Sequence, residues 1–144
     1  MFGTILVATD GSERATRAVQ RALELVRHSG DTLHVVTAYE PPSVAKLEAM
    51  RAEIPEEVRW RLSADSEAGE TLRAASNMAR QAGVKIETHA EQGPPTRVIL
   101  SVAQDIGASL IIVGSKGVER RILNSVPNGV AQHAECDVLI VHTA

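Results

Sequence analysis

Two short, glycine-containing segments carry the residues best suited to binding an anion. The first is 8–12, with the sequence ATDGS, and the second is 114–117, with the sequence GSKG. Glycine lets backbone N–H groups come close to a bound anion, and the start of a following helix adds a partial positive charge. Lys116, Arg120 and Arg121 place formal positive charge in or beside the second segment. This chemistry favours a phosphate group as the ligand.

The same residues also fit a structural interpretation. Two closely spaced glycines suit an ordinary tight turn. Asp10 followed by Gly11 and Ser12 is typical of an Asx turn that leads into a helix N-cap, but the Asp10 carboxylate could also bind a ligand hydroxyl or a metal ion. Lys116 and the two arginines fit a solvated surface equally well. Both interpretations stay open at this point.

Residues that could catalyse a reaction or bind a metal ion show no recognisable spacing. The sequence contains neither a G-x-S-x-G motif nor a complete Walker loop. Cys136 lies just before an apolar run, where an inert buried thiol is expected. The five histidines lack HxxxH or HExxH spacing, so no metal site is predicted from them: His28, His34, His89, His133 and His142. The sequence indicates a binding protein rather than an efficient enzyme.

Hydrophobic periodicity predicts the elements that position these residues. Short apolar or alternating runs predict five strands, at 4–9, 33–38, 84–90, 110–113 and 138–141. Apolar residues at helical spacing predict four helices, from Ser12 to just before Gly30, over 58–82, from 93–96 to 106, and over 125–133. Such alternation predicts an α/β fold, a five-stranded parallel sheet with helices on both faces. In the third strand polar residues alternate with apolar ones, so one of its faces is expected to contact solvent and the strand is expected at a sheet edge.

In an open parallel sheet, ligands bind beyond the carboxyl ends of the strands, where the strand order reverses. The first and fourth strands are the most apolar and are therefore expected to be the central pair. Their carboxyl-terminal segments are the two glycine-containing segments described above, which should face each other across a cleft. The predicted fold thus brings the candidate anion-binding residues together.

Composition narrows the class of protein further. The 144 residues are enough for a single domain, 1–144, with 44% hydrophobic and only 2% aromatic residues, so the core must be aliphatic. A net charge of −3 and three aromatic rings argue against a nucleic-acid-binding surface. One cysteine argues against a disulfide framework, and no apolar run approaches the length of a membrane span. A cytoplasmic location is expected, with no nucleic-acid or membrane partner.

Several spaced motifs resemble those of a known family. They are the opening ILVATDGS, Gly93-x-Pro95, the run ASLIIVG at 108–114 followed by SKG, then NSVPNGV and CDVLIVHT. Across its whole length the chain resembles a single universal stress protein domain. The resemblance implies a Rossmann-like sheet with strand order 3-2-1-4-5. It also implies dimerisation through the last strand and, in some members of the family, binding of ATP or a related adenine nucleotide.

The resemblance also implies which residues would contact the nucleotide. Ala8, Thr9 and Asp10 match the family segment near adenine and ribose, with Asp10 orienting the ribose or a phosphate-bound Mg²⁺. Backbone near Ala38 would read the adenine edge. Residues that would hold ribose and phosphates, with Lys116 as a compensating charge, are Gly114, Lys116, Gly117, Ser125 and Val126.

The phosphate loop departs from the family pattern of G-x-x-G, nine residues, then G-[ST]. Six residues instead of nine follow Gly117, and Asn124 replaces the second glycine. Asparagine tolerates left-handed geometry better than other non-glycine residues. A shorter loop can hold fewer phosphates, so AMP or cyclic AMP would need less of it than ATP would.

Two hypotheses from different classes follow. The first is a cytoplasmic, homodimeric stress-response module that binds ATP, AMP or cyclic AMP between the first and fourth strands. The alternative is a nucleotide-free homodimeric interaction protein, motivated by the shortened loop and Asn124. If the protein catalyses any reaction, the loop and Asp10 suggest at most slow ATP hydrolysis. In either hypothesis the last strand, at 138–141, would be an apolar edge unless a second copy pairs with it.

Overall fold

The computed structural model describes residues 2–39, 66–115 and 126–142. Strands and helices alternate along the described chain, as the periodicity predicts. The nine elements are β1 (Thr4–Ala8), α1 (Glu13–Ser29), β2 (Thr32–Tyr39), α2 (Ser66–Gln81), β3 (Ile86–Gln92), α3 (Pro95–Ile106), β4 (Leu110–Gly114), α4 (Val126–His133) and β5 (Asp137–Val141). The beginning of the predicted second helix, 58–65, lies outside the described residues.

The five strands form one parallel sheet in the order β3-β2-β1-β4-β5, which confirms the predicted fold class and strand order. β1 pairs with β2 on one side and with β4 on the other, so these strands form the centre of the sheet. Chain order runs outward from β1 to β3 and then returns to the far side of β1 at β4. The strand order therefore reverses between β1 and β4.

Alternating side chains on the central strands build two aliphatic layers. Ile5 and Val7 point to the face covered by α1 and α2, and Leu6 points to the face covered by α3 and α4. All three side chains are fully buried. Since a parallel sheet with helices on both faces has no wet side, its central strands are continuously apolar rather than alternating.

Local chemistry fixes the ends of α1. The Ser12 side chain accepts a hydrogen bond from the Ala15 N–H at 3.2 Å, and the Gly30 N–H closes the other end by donating to the Val26 carbonyl at 2.8 Å. Gly30 has φ +76°, the left-handed geometry common just past a helix end. The structure confirms both the predicted N-cap, Ser12, and the predicted end of the helix just before Gly30.

The two edges of the sheet have different surfaces. Within the described residues β3 pairs with β2 alone, and all its positions are exposed or half-buried, which confirms the predicted place at a sheet edge. It begins at Ile86 rather than at the expected Val84, because the Val84 N–H donates to the Ala79 carbonyl at 2.9 Å and helps to end α2. β5 forms the opposite edge and exposes Leu139 and Ile140.

No helix within the described parts of the chain is both long enough and apolar enough to cross a membrane.

Candidate functional site

A cleft of about 530 Å³ opens at the carboxyl ends of β1 and β4, where the strand order reverses. Its floor includes Ala8 from the end of β1 and Gly114 from the end of β4. The N-terminal ends of α1 and α3 approach from opposite faces of the sheet and contribute the N-cap Ser12 and Pro95. This is the position at which open parallel sheets bind ligands.

The segment that follows β1 is held by its own side chains. The Thr9 N–H donates to the Val36 carbonyl at 2.9 Å, and the Thr9 hydroxyl accepts from the Gly11 N–H at 3.1 Å. The Asp10 carboxylate accepts from the Ser12 N–H at 2.9 Å, the geometry of an Asx turn. Asp10 nevertheless lines the cleft and is exposed, so its place in the Asx turn does not exclude contact with a ligand.

Gly11 is the point at which this segment requires glycine. Its φ is +84°, and a Cβ there would lie 2.8 Å from the Thr71 hydroxyl oxygen on α2. Both the left-handed backbone and the close approach therefore exclude a larger residue without rearrangement. The turn is packed against α2, which keeps Asp10 in a defined position at the mouth of the cleft.

The inner walls of the cleft are mainly aliphatic. Val36 and Ala38 come from β2, Ile99 comes from α3, and Val113 comes from β4. A flat, largely apolar ring would be desolvated on such walls, while its polar edge could bond to peptide groups at the strand ends. The described lining contains no aromatic side chain, so stacking on a protein ring does not contribute there.

Charged groups lie at the mouth of the cleft. Asp10 and Glu13 carry negative charge, and Arg14 is the positively charged side chain among the described lining residues. Glu13 and Arg14 are in the first turn of α1, whose N-terminus adds a partial positive charge. This arrangement suits a ligand with a modest negative charge and several hydroxyls.

The structure brings most of the predicted site residues into this one cleft. Those that line it are Ala8, Thr9, Asp10, Ala38, Gly114 and Val126. The other three, Lys116, Gly117 and Ser125, lie outside the described residues. Sequence reasoning missed Val36, Ile99 and Arg14, although the rule that helix N-termini face the reversal point could have indicated Arg14.

Cys136 has the properties of an unreactive thiol. It is half-buried and forms no disulfide. Burial, followed by the negative charge of Asp137, raises the pKa of the thiol above its usual value. A protonated thiol is a poor nucleophile, which agrees with the inert role expected from the sequence.

The family model described as the universal stress protein family matches residues 1–142. The chain belongs to the universal stress protein family. Among its curated relatives, a putative universal stress protein of Staphylococcus haemolyticus is 33% identical over 147 residues, covering 99% of this chain and 86% of the relative. The resemblance stated from the motifs is thereby confirmed.

Two similar universal stress proteins have been solved with adenine nucleotides. One, in complex with cAMP, is 33% identical with a TM-score of 0.74 and covers 99% of this chain and 98% of its own. The other, from Archaeoglobus fulgidus in complex with dAMP, is 26% identical with a TM-score of 0.67 and covers 97% of this chain and 98% of its own. Adenine nucleotide binding therefore occurs in similar members of the family.

Proposed function

We propose that this universal stress protein binds an adenine nucleotide in the cleft between β1 and β4, with AMP or cyclic AMP preferred over ATP. The observation that carries the proposal is the cleft itself, which combines aliphatic walls with polar strand ends at the reversal of strand order. Its volume of about 530 Å³ lies within the usual range for small-molecule sites. The cAMP and dAMP complexes of similar proteins support the same ligand class.

In this proposal the adenine lies between the apolar walls, near Val36, Ala38 and Ile99. Backbone groups at the end of β2 bond to its edge, and the Asp10 carboxylate accepts a hydrogen bond from a ribose hydroxyl. Ala8 and Thr9 support the ribose and adenine from below. With no aromatic side chain in the described lining, we expect a modest affinity.

The phosphate would lie towards Gly114 and Val126, with Lys116, Gly117 and Ser125 as further contacts from the phosphate loop. Asp10 and Glu13 oppose a large negative charge at the mouth, unless Mg²⁺ accompanies the phosphates. The loop between Gly117 and Ser125 is also shorter than the family pattern. Both features favour a nucleotide with one phosphate.

We further propose that the protein is a homodimer paired through β5. Within the described residues no strand pairs with the outer edge of β5, whose Leu139 and Ile140 are 38% and 42% exposed. An apolar edge of this kind promotes aggregation unless it is covered. Antiparallel pairing of two β5 strands about a two-fold axis would cover it and join the two sheets.

A stress-response role in the cytoplasm completes the proposal. Membership of the universal stress protein family supports this role.

Replacing Asp10 tests the ribose contact. We expect Asp10→Ala to weaken cyclic AMP binding about tenfold, the usual effect of losing a hydrogen bond to a charged group. Asp10→Asn retains an oxygen for the Ser12 N–H and should weaken binding by only about threefold, because a neutral acceptor replaces a charged one. Isothermal titration calorimetry with cyclic AMP, AMP and ATP measures both effects.

The two variants separate the ribose contact from the Asx turn. If Asp10→Asn binds as tightly as the wild type, the carboxylate does not hold the ribose. Tighter binding by Asp10→Asn would mean that Asp10 mainly repels the phosphate. Absence of heat and of a thermal shift with all three nucleotides at millimolar concentration would instead favour the nucleotide-free interaction protein.

Placing a charge on β5 tests the dimer. We expect Ile140→Arg to change the sedimentation mass from twice the 15.4 kDa monomer to the monomer value, because it would place a positive charge from each copy in the paired apolar edge. Ala74→Arg adds the same charge on an exposed position of α2 and should leave the dimer intact. A wild-type mass of 15.4 kDa at micromolar concentration would contradict the proposed pairing.

A further inference from the structure

Three potential metal ligands meet on one face of the sheet, away from the strand ends. Glu87 on β3 is the register partner of His34 on β2, and His89 lies two residues farther along β3 on the same face. The His34 Nδ1 is 2.9 Å from the His89 Nε2 and 3.4 Å from a Glu87 carboxylate oxygen. One ligand atom from each residue lies within 4.8 Å of both others.

These distances approach those of a tetrahedral metal site. Zinc bonds of about 2.05 Å in tetrahedral geometry place two ligand atoms about 3.3 Å apart. The His34–Glu87 distance of 3.4 Å already matches that separation. The two histidine nitrogens would have to separate by about 0.4 Å, and one stacked ring would have to turn so that both lone pairs face the ion. The side chain that can move is His89, which is half-buried on an edge strand and lies within 4.8 Å of the Glu87 carboxylate.

The environment keeps at least one imidazole available as a ligand. The His34 side chain is only 10% exposed, and a hydrogen bond between its Nδ1 and the His89 Nε2 requires one of these nitrogens to act as the acceptor. A neutral imidazole has the lone pair that a metal requires. A metal ion bound by both rings would replace this hydrogen bond.

We propose that His34, Glu87 and His89 form a binding site for a divalent transition-metal ion of the Zn²⁺ type. Two imidazoles and one carboxylate are a ligand set that suits zinc, whereas Mg²⁺ and Ca²⁺ require mainly oxygen ligands. Glu87 is 69% exposed, so water can reach the remaining coordination position. The site is independent of the proposed nucleotide function.

A bound metal ion would link β2 to its edge neighbour β3, because its ligands come from side chains of both strands. In the part of the chain that the structure describes, β3 is otherwise held to the sheet along one side, by its ladder with β2. His89 is the register partner of Val36, which lines the cleft, so the metal site lies beside the nucleotide site without sharing its residues. The folded protein should therefore gain thermal stability when the metal binds.

Titration of the full chain with Zn²⁺ in a non-chelating buffer tests the proposal. We expect one Zn²⁺ per chain with a dissociation constant of about 10 μM or tighter. His89→Ala and Glu87→Gln should each weaken binding by about tenfold or more, and both positions are exposed enough for the variants to fold. The control His28→Ala removes an exposed histidine from α1 and should bind Zn²⁺ like the wild type.

Two further readouts identify the site itself. Co²⁺ bound by the wild type should give a visible absorption band of a low-coordinate site, and that band should be absent in His89→Ala. Zn²⁺, but not Mg²⁺, should raise the melting temperature of the wild type and have a smaller effect on His89→Ala. Equal Zn²⁺ affinity in the wild type, His89→Ala and Glu87→Gln would overturn the proposal, as would no heat with Zn²⁺ at 100 μM, roughly tenfold above the expected constant.

Discussion

Replacing Leu33 by alanine is expected to lower the free energy of unfolding by about 3 kcal/mol, within the range measured for buried leucines. Leu33 is fully buried on β2, in the apolar layer under α1 and α2. Its register partners are Ile5 on β1 and Ile86 on β3, so backbone on both sides fixes its position and restricts collapse into the cavity. Urea denaturation at a fixed protein concentration measures the loss.

Leu25→Ala provides the matched control. Leu25 packs against the same apolar layer from α1 but is only partly buried, and alanine is the better helix former. We expect this variant to lose about 1 kcal/mol or less. If the two leucine variants lose equal stability, burial in this layer does not control stability as the structure implies.

Periodicity predicted the order of elements because each element has one dominant burial pattern. β4 (Leu110–Gly114) is buried along most of its length, whereas β3 (Ile86–Gln92), at a sheet edge, has only exposed and half-buried positions. The boundaries were harder to predict. Val84 continues the alternation of β3 in sequence, but its N–H completes the end of α2. Tertiary hydrogen bonding of this kind leaves no trace in a hydrophobic pattern.

The site could be predicted where its residues are contiguous. Residues 8–10 follow a recognisable strand, so their place at its carboxyl end follows from the fold class. Val36 and Ile99 were missed because a core residue and a wall residue have the same apolar side chains. Arg14 was missed because a charged residue in the first turn of a helix has the same sequence pattern whether it faces a cleft or solvent.

The histidine and glutamate cluster shows a different limit. Metal motifs are recognised by spacing within one helix or loop. His34 and His89 are 55 positions apart and meet only because β2 and β3 pair in a particular register. Shifting that register by one residue would place the two side chains on opposite faces of the sheet. The expectation of no metal site rested on sequence spacing, which does not contain this register.

Filling the cleft at Ala8 should have the largest effect on binding. We expect Ala8→Phe to weaken cyclic AMP binding by about 100-fold or more, because the new ring would occupy space proposed for the nucleotide. The floor cannot move aside to make room. Ala8 ends a strand that is paired on both sides, and the preceding Leu6 and Val7 are fully buried. Calorimetry with cyclic AMP measures the change.

Ala74→Phe makes the same substitution at an exposed position of α2 that does not line the cleft, and it should bind like the wild type. Comparing the melting temperatures of both variants separates blocked binding from unfolding. A folded Ala8→Phe that still binds cyclic AMP with wild-type affinity would place the nucleotide elsewhere. Loss of binding in Ala8→Phe alone would instead locate it at the reversal of strand order, since that side chain lies at the end of β1 within the cleft.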